Sequence, residues 1–335
     1  MRSPLRPVAG AGCAVALAVT GCSAQATSAP RAAVSGTAAA PATSTAYAPY
    51  VSASEASATD SAGSPATYNV AFVISGGGGC TPKWNGTEAI ADSAVTSRIS
   101  ALRKNGASVR VSFGGASGKE LAAACDSVSE LAAAYGEALD AAGAGEADFD
   151  IEGDELTNSA DVALRSRAIA RLQKQRPDLK VSFTLPVMPS GLDADGLALL
   201  ESANTYDVQV STVNLMTMNY GESYGGDMGD YAVASATAAH AQLKKVFGLS
   251  DADAWRGMAL TSMIGVNDVA GETFTLPDAA QVRRFAERKG VAWVSMWSAF
   301  RDRQCADGES GQDDAATDCS GVRQRPGAFA QAFAG

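Results

Sequence analysis

The chain of 335 residues contains a single histidine, His240. One histidine cannot build an HExxH zinc site, and no serine or cysteine nucleophile motif accompanies it. It lies in an Ala-rich stretch, 231–247, that predicts a helix, where a histidine is more often surface or core than catalytic. Basic clusters are also lacking. Lys and Arg number 26 against 36 Asp and Glu, for a net charge of −10, and no Lys/Arg-rich run supplies the footprint a nucleic acid needs. Glycines 76–79 are followed by Cys-Thr-Pro-Lys. That is neither a Gly-Lys-Ser/Thr loop nor a GxGxxG turn into a helix, which argues against a nucleotide phosphate site. No cofactor or metal is expected. Any chemistry falls to carboxylates, hydroxyls and aromatics.

The apolar run from Val8 to Val19 is too short to span a membrane. Preceded by Arg2 and Arg6, it resembles a secretory leader over residues 1–21. The sequence Val19-Thr20-Gly21-Cys22 resembles a bacterial lipobox and predicts lipidation of Cys22; the alternative is ordinary cleavage near Ala24 or Ala26. Residues 22–45 are mostly Ala, Ser, Thr and Pro and read as a flexible tether. The expectation is an extracellular monomeric domain, 46–335, held at the membrane only through its lipid, or secreted if the lipobox is not used. Of six cysteines, Cys13 leaves with the leader and Cys22 is the lipid site. Cys80, Cys125, Cys305 and Cys319 remain. An even number in an exported chain implies two disulfides with three pairings open. Local loop closure favours Cys305–Cys319, which leaves Cys80–Cys125. Zinc would need closer spacing or histidine partners.

From Tyr68 onward, strand-like and helix-like stretches alternate. Strands are predicted over 68–75, 108–113, 147–152, 180–185, 207–218, 258–263 and 291–297, with a first strand at 46–52. Helices are predicted over 88–105, 119–142, 161–175, 192–203, 231–247 and 278–289, with a last one near 329–333. Residues 54–65 are small and polar, a loop or a degraded first helix. Eight strands alternating with helices predict an α/β fold, the (β/α)8 TIM barrel.

The stretch Asp148-Phe149-Asp150-Ile151-Glu152 is the chemically informative one. On a strand, side chains alternate faces, so the three acids share one face and Phe149 and Ile151 the other. Neighbouring acids then sit ~6.6–6.8 Å apart along the strand, and like charges raise one another's pKa. The alternative is a solvated edge strand.

Further motifs fall at the ends of the other predicted strands: Ser112-Phe113-Gly114-Gly115, Met216-Thr217-Met218-Asn219-Tyr220 and Ser295-Met296-Trp297. Taken together with Asp148-x-Asp150-x-Glu152, they resemble glycoside hydrolase family 18, the chitinase family. The resemblance covers residues 46–335. It implies hydrolysis of β-1,4-linked N-acetylglucosamine polymers by substrate-assisted retention, with Glu152 as general acid/base, Asp150 orienting the N-acetyl group and Asp148 tuning Asp150; acids on one strand face, which approach a sugar from one side only, are consistent with a 2-acetamido oxygen as the nucleophile. Trp297 resembles the eighth-strand tryptophan under the sugar, and Ser112, Gly114 and Gly115 match the third-strand motif. Two departures stand out. Gly145 occupies the first acidic position of the fourth-strand pattern. The sixth-strand Met-x-Tyr-Asp pattern fits in two registers, one keeping Tyr220, the other placing Met218 and Asn219 in its last positions. Trp84 is a candidate subsite residue, Trp293 a barrel-interior residue and Trp255 a packing residue. Rival readings are an endo-β-N-acetylglucosaminidase on glycoprotein or cell-wall glycans, and a non-catalytic glycan-binding protein on the same scaffold.

Overall fold

The computed structural model describes residues 45–306 and 318–335. The leader, Cys22 and the tether up to residue 44 lie outside the described residues. Among the described residues no helix is long and apolar enough to cross a membrane.

Eight parallel strands form a ring. β1 comes in two pieces, Ala46–Tyr47 and Tyr50–Ser52. The others are β2 (Thr67–Ser75), β3 (Ser108–Gly114), β4 (Glu146–Asp150), β5 (Lys180–Pro186), β6 (Val210–Met216), β7 (Met258–Met263) and β8 (Trp293–Trp297). Each from β2 to β8 pairs with the next. β1 closes the ring: Ala46 and Tyr47 pair with β8, and Tyr50 to Ser52 pair with β2. Pro49, which has no N–H to give, stands at the changeover. Its carbonyl accepts from Asn69 N, while Ala48 N donates to Val294 O on the other side.

Helices α1 (Ser93–Leu102), α2 (Val128–Ala142), α3 (Ser159–Gln175), α4 (Ala194–Thr205), α5 (Met228–Phe247), α6 (Leu276–Lys289) and α7 (Ala328–Ala334) follow β2 to β8 in turn. After β1 the chain makes turns and no helix over residues 54–65. The first two helices are shorter than the sequence predicts. α1 starts at Ser93 because Asp92 caps it, accepting from Ala94 N and Val95 N; residues 82–84 and 88–89 instead form a hairpin on the edge of β2. α2 starts at Val128 because Ser127 caps it and the preceding chain is tied down by the Cys80–Cys125 disulfide. The second disulfide is Cys305–Cys319.

Two-residue alternation assigns the strands' faces. Phe113, Phe149 and Phe183 are in register on β3, β4 and β5 and point outward under the helices. Their rings lie 5.2 and 5.8 Å apart, with Tyr135 of α2 edge-on to the first two. All four are fully buried, each contributing about 1.5–3 kcal/mol of apolar burial. Inward-facing residues of the same strands form three polar rows: Arg110, Glu146 and Lys180 at the amino end, Ser112, Asp148 and Ser182 above them, and Gly114, Asp150 and Thr184 at the carboxyl end. The amino end is plugged by Arg110, which bonds Asn69 and Glu146 and lies 4.0 Å over the Trp293 ring. His240 is a packing residue: it stacks 3.9 Å from Trp255, with Nε2 3.0 Å from the Asp251 carbonyl.

Candidate active site

A cavity of about 1020 Å³ opens over the carboxyl ends of the strands, with Asp150, Glu152, Met218, Asn219 and Trp297 in its lining. This is the end of a barrel at which loops after several strands can converge on one ligand. β4 ends at Asp150, so Glu152 sits just past the strand, half-buried, while Asp148 and Asp150 are buried below it.

Asp148 is held by four hydroxyls. Oδ1 accepts from Ser182 Oγ at 2.6 Å and Thr184 Oγ1 at 2.8 Å; Oδ2 accepts from Ser112 Oγ at 2.8 Å and Tyr50 Oη at 2.9 Å. A carboxylate offers about four acceptor positions, so this set saturates it and fixes its orientation. Behind it, Asn214 donates to Thr184 and accepts from Thr261, extending the network across β5, β6 and β7. Tyr50 is driven well above the ordinary tyrosine range by burial and by the Asp148 and Asp150 charges, so it stays a donor.

Asp150 is the opposite case. It is 5 % exposed, and its Oδ1 is buried without a hydrogen-bond partner among the described residues. Burial, then the charges of Glu152 and Asp148, push its pKa well above the usual carboxylate range. Such an oxygen is costly unless a donor reaches it. Glu152 is pushed up to about 7, first by burial and then by the charge of Asp268. A glutamic acid with that pKa is about half protonated at neutral pH and keeps its proton below it, as a general acid requires.

Asp268 carries no sequence signal. It lies after β7 within the turn between two short strands, Gly265–Val266 and Thr273–Phe274. Asn219 clamps it: Asn219 Nδ2 donates to Asp268 Oδ2 at 3.1 Å, and Asp268 N donates to Asn219 Oδ1 at 3.2 Å. Asp268→Asn is expected to move the alkaline limb of the pH–rate profile down by roughly one pH unit or less. Without that charge Glu152 gives up its proton more readily, so activity is lost at lower pH. Initial rates between about pH 5 and 9 decide it, and an unmoved limb refutes the coupling.

Several predicted site residues sit elsewhere. Trp84 is fully buried in the hairpin on β2, its Nε1 bonded to Ile90 O, and does not reach the cavity. Tyr220 also turns away. It packs against Tyr224 and Tyr231 and accepts a bond from Ser235. β6 ends at Met216, and Asn219 takes a left-handed backbone (φ 53°), so the register that faces the cavity is Met216, Met218 and Asn219. Ser112 supports Asp148 from below and does not line the cavity. Gly114 and Gly115 are there for close approach: a Cβ on Gly114 would lie 2.1 Å from the Asp150 carbonyl, and one on Gly115 2.8 Å from the Phe72 ring. Both have φ near +90°, a conformation costly to any other residue. Gly145 is exposed at the amino end of β4. A Cβ there meets nothing within 4 Å, so the four hydroxyls, and not an acid at 145, set the Asp148 environment. Trp297 does line the cavity. It stacks on Phe72 with ring centres 5.5 Å apart, and Tyr50 meets it edge-on at 5.9 Å. Tyr50 and Phe72 belong to no motif.

No family model matches the chain. Over 249 residues it is 35% identical to a probable bifunctional chitinase/lysozyme of Escherichia coli (strain K12), a match covering 70% of this chain and 28% of that protein. Endochitinase 11 of Metarhizium anisopliae is 36% identical over 223 residues, 63% of this chain and 43% of that protein. The chain therefore spans well under half the length of either relative. The solved catalytic domain of a hyperthermophilic chitinase from Pyrococcus furiosus is 29% identical with a TM-score of 0.77, over 88% of this chain and 95% of that domain. The chain is similar to these chitinases, and it shares the fold of the Pyrococcus furiosus catalytic domain. Within this barrel, the acids Asp148, Asp150 and Glu152, the hydroxyls beneath Asp148 and the Asn219–Asp268 clamp converge at the cavity over the carboxyl ends of the strands. It holds a carboxyl group whose pKa is pushed up to about 7, a buried carboxylate oxygen without a partner among the described residues, and the Trp297 ring.

Proposed function

We propose that the chain hydrolyses β-1,4-linked N-acetylglucosamine polymers, chitin first among them, by substrate-assisted retention. The observation that carries this is Asp150 Oδ1, buried beside Glu152 with no donor among the described residues. An acetamido N–H is a donor of the right kind, and holding it turns the acetamido oxygen toward the anomeric carbon. The glycosidic C1–O bond breaks as the leaving oxygen takes the Glu152 proton and the acetamido oxygen bonds to C1. The positive charge that develops on the acetamido group is stabilised by Asp150. Water then attacks C1, passes its proton to Glu152 and restores the acetamido. Two displacements retain configuration. Trp297, stacked on Phe72, gives the sugar an apolar face to rest on.

Chito-oligosaccharide digestion followed by proton NMR tests this. The first-formed reducing ends should be β; α-first products refute the mechanism. An endo-β-N-acetylglucosaminidase would leave these oligomers intact while cleaving glycoprotein glycans or cell-wall glycan, and a glycan-binding protein would release nothing. We further propose that the domain is exported and anchored through Cys22, a reading supported by the lipobox-like sequence alone. Recovery of the full chain from the membrane fraction, lost on Cys22→Ala, is the check.

A further inference from the structure

Glu272 is a buried carboxylate that the mechanism above does not use. It is 1 % exposed and immediately precedes Thr273–Phe274, the second strand of the short hairpin that carries Asp268 in its turn. Its Oε1 reaches the loop after β6 and accepts from Gly221 N at 2.8 Å. Asn219 and Gly221 both have positive φ, 53° and 118°. Successive N–H groups turned to one side make a concavity that takes an anion. Burial raises the Glu272 pKa, and the N–H groups of Gly221, Tyr220 and Asn219 oppose that by favouring the anion. Tyr220, the titratable group facing it, is held protonated by its own burial and by the Glu272 charge. The same loop and hairpin meet again at the Asn219–Asp268 clamp. The hairpin has further anchors that do not involve the Glu272 side chain. Val266 N donates to Ser320 O at 2.8 Å, Arg301 Nη2 donates to the Ile264 and Val266 carbonyls, and Asn267 Nδ2 donates to the Met263 and Gly265 carbonyls.

We propose that Glu272 is a positioning residue for the hydrolysis: its carboxylate fixes the loop after β6 in the turn that presents Asn219 to the cavity and to Asp268. The inference rests on the hydrolase reading above and adds a residue to its site. Removing the carboxylate frees the loop and leaves the hairpin in place. Asp268 then loses the two bonds from Asn219 that hold its side chain and its backbone, its carboxylate turns toward water, and its charge acts on Glu152 through a higher dielectric. Asp150 faces Glu152 from its own strand and Asp268 from the hairpin, while Glu55, Asp193 and the Arg303–Asp318 pair line the rest of the cavity. Of these, only Asp268 is tied to the loop that Glu272 holds.

The test measures initial rates of the full chain on chitohexaose between about pH 5 and 9, with thermal melting to show an intact fold. Glu272→Leu should move the alkaline limb down, as Asp268→Asn does and by no more than it, roughly one pH unit or less. Glu272→Gln keeps an acceptor for Gly221 N and should move the limb less. Glu272→Leu/Asp268→Asn should show no shift beyond that of Asp268→Asn alone, because both changes act through one charge. If Glu272→Leu does not fold, Glu272→Asp, one methylene short of Gly221 N, carries the same expectation. A folded variant whose limb is unmoved or raised, or shifts that add in the double variant, overturns the positioning role and leaves the hydrolase reading standing, whatever happens to kcat. No cleavage by the parent chain overturns both.

Discussion

Glu152→Gln should lower kcat on chito-oligosaccharides by roughly 10²–10⁴-fold, the share a positioned general acid supplies. The glutamine keeps the size and much of the polarity of the acid but has no proton to give the leaving oxygen. In the proposed mechanism binding rests on Trp297 and Asp150, so KM should change little and the loss should appear in kcat. The wild-type pH profile carries the same signature. Glu152 titrates at about 7, raised by burial and by Asp268, so the competent, protonated form is the majority below that pH and the rate falls as pH rises through it. In Glu152→Gln that limb should vanish from whatever rate remains. Asp150 is also raised and faces Glu152, so the measured limb belongs to the pair. Initial rates across pH, alongside thermal melting to show an intact fold, decide the matter. A variant that melts like the parent yet keeps a tenth or more of the activity would falsify the assignment.

The barrel and the acidic strand were legible because both are written in period 2. Phe113, Phe149 and Phe183 mark the outward rows and Ser112, Asp148 and Ser182 the inward ones, and register does the rest. What escaped was set by backbone detail with no residue-type signature. β6 stops at Met216, and the left-handed turn at Asn219 decides that Asn219, and not Tyr220, faces the cavity. Trp84 reads as a subsite aromatic only if the loop after β2 is open; its pairing in a hairpin buries it. Asp268 and Tyr50 come from a loop and a broken strand far from the motif, and only closure of the ring brings them to Asp148 and Glu152. Gly145 marks a limit of reading by pattern. A missing acid three residues before Asp148 looks like a loss at the site, yet it falls at the other end of the strand.

Arg165→Met is expected to cost about 3–5 kcal/mol of stability, because it strands a buried charge. Arg165 and Glu120 are almost fully buried, with Arg165 Nε and Nη2 at 3.1 and 2.8 Å from Glu120 Oε2. Glu120 also accepts from Tyr135 Oη at 2.6 Å and from Ala122 N at 2.8 Å, and its own N–H reaches Glu155 Oε1 at 3.3 Å. The pair thus joins α3, α2 and the turn after β3 to the segment three residues beyond Glu152. Methionine fills the space and leaves the carboxylate without its cation. Neutralising the partner as well, in Glu120→Gln/Arg165→Met, should recover more than half of the loss, since a neutral amide keeps the Tyr135 and Ala122 contacts without a bare charge. Denaturant melts of the three proteins separate two ideas. A large single-variant loss with double-variant recovery means the stability cost is that of an unpaired charge. Equal losses in both mean that the ion pair itself clamps the turn behind Gly114. In that second case kcat of the double variant should fall too, because Gly114 and Gly115 set the position of Asp150 through its carbonyl.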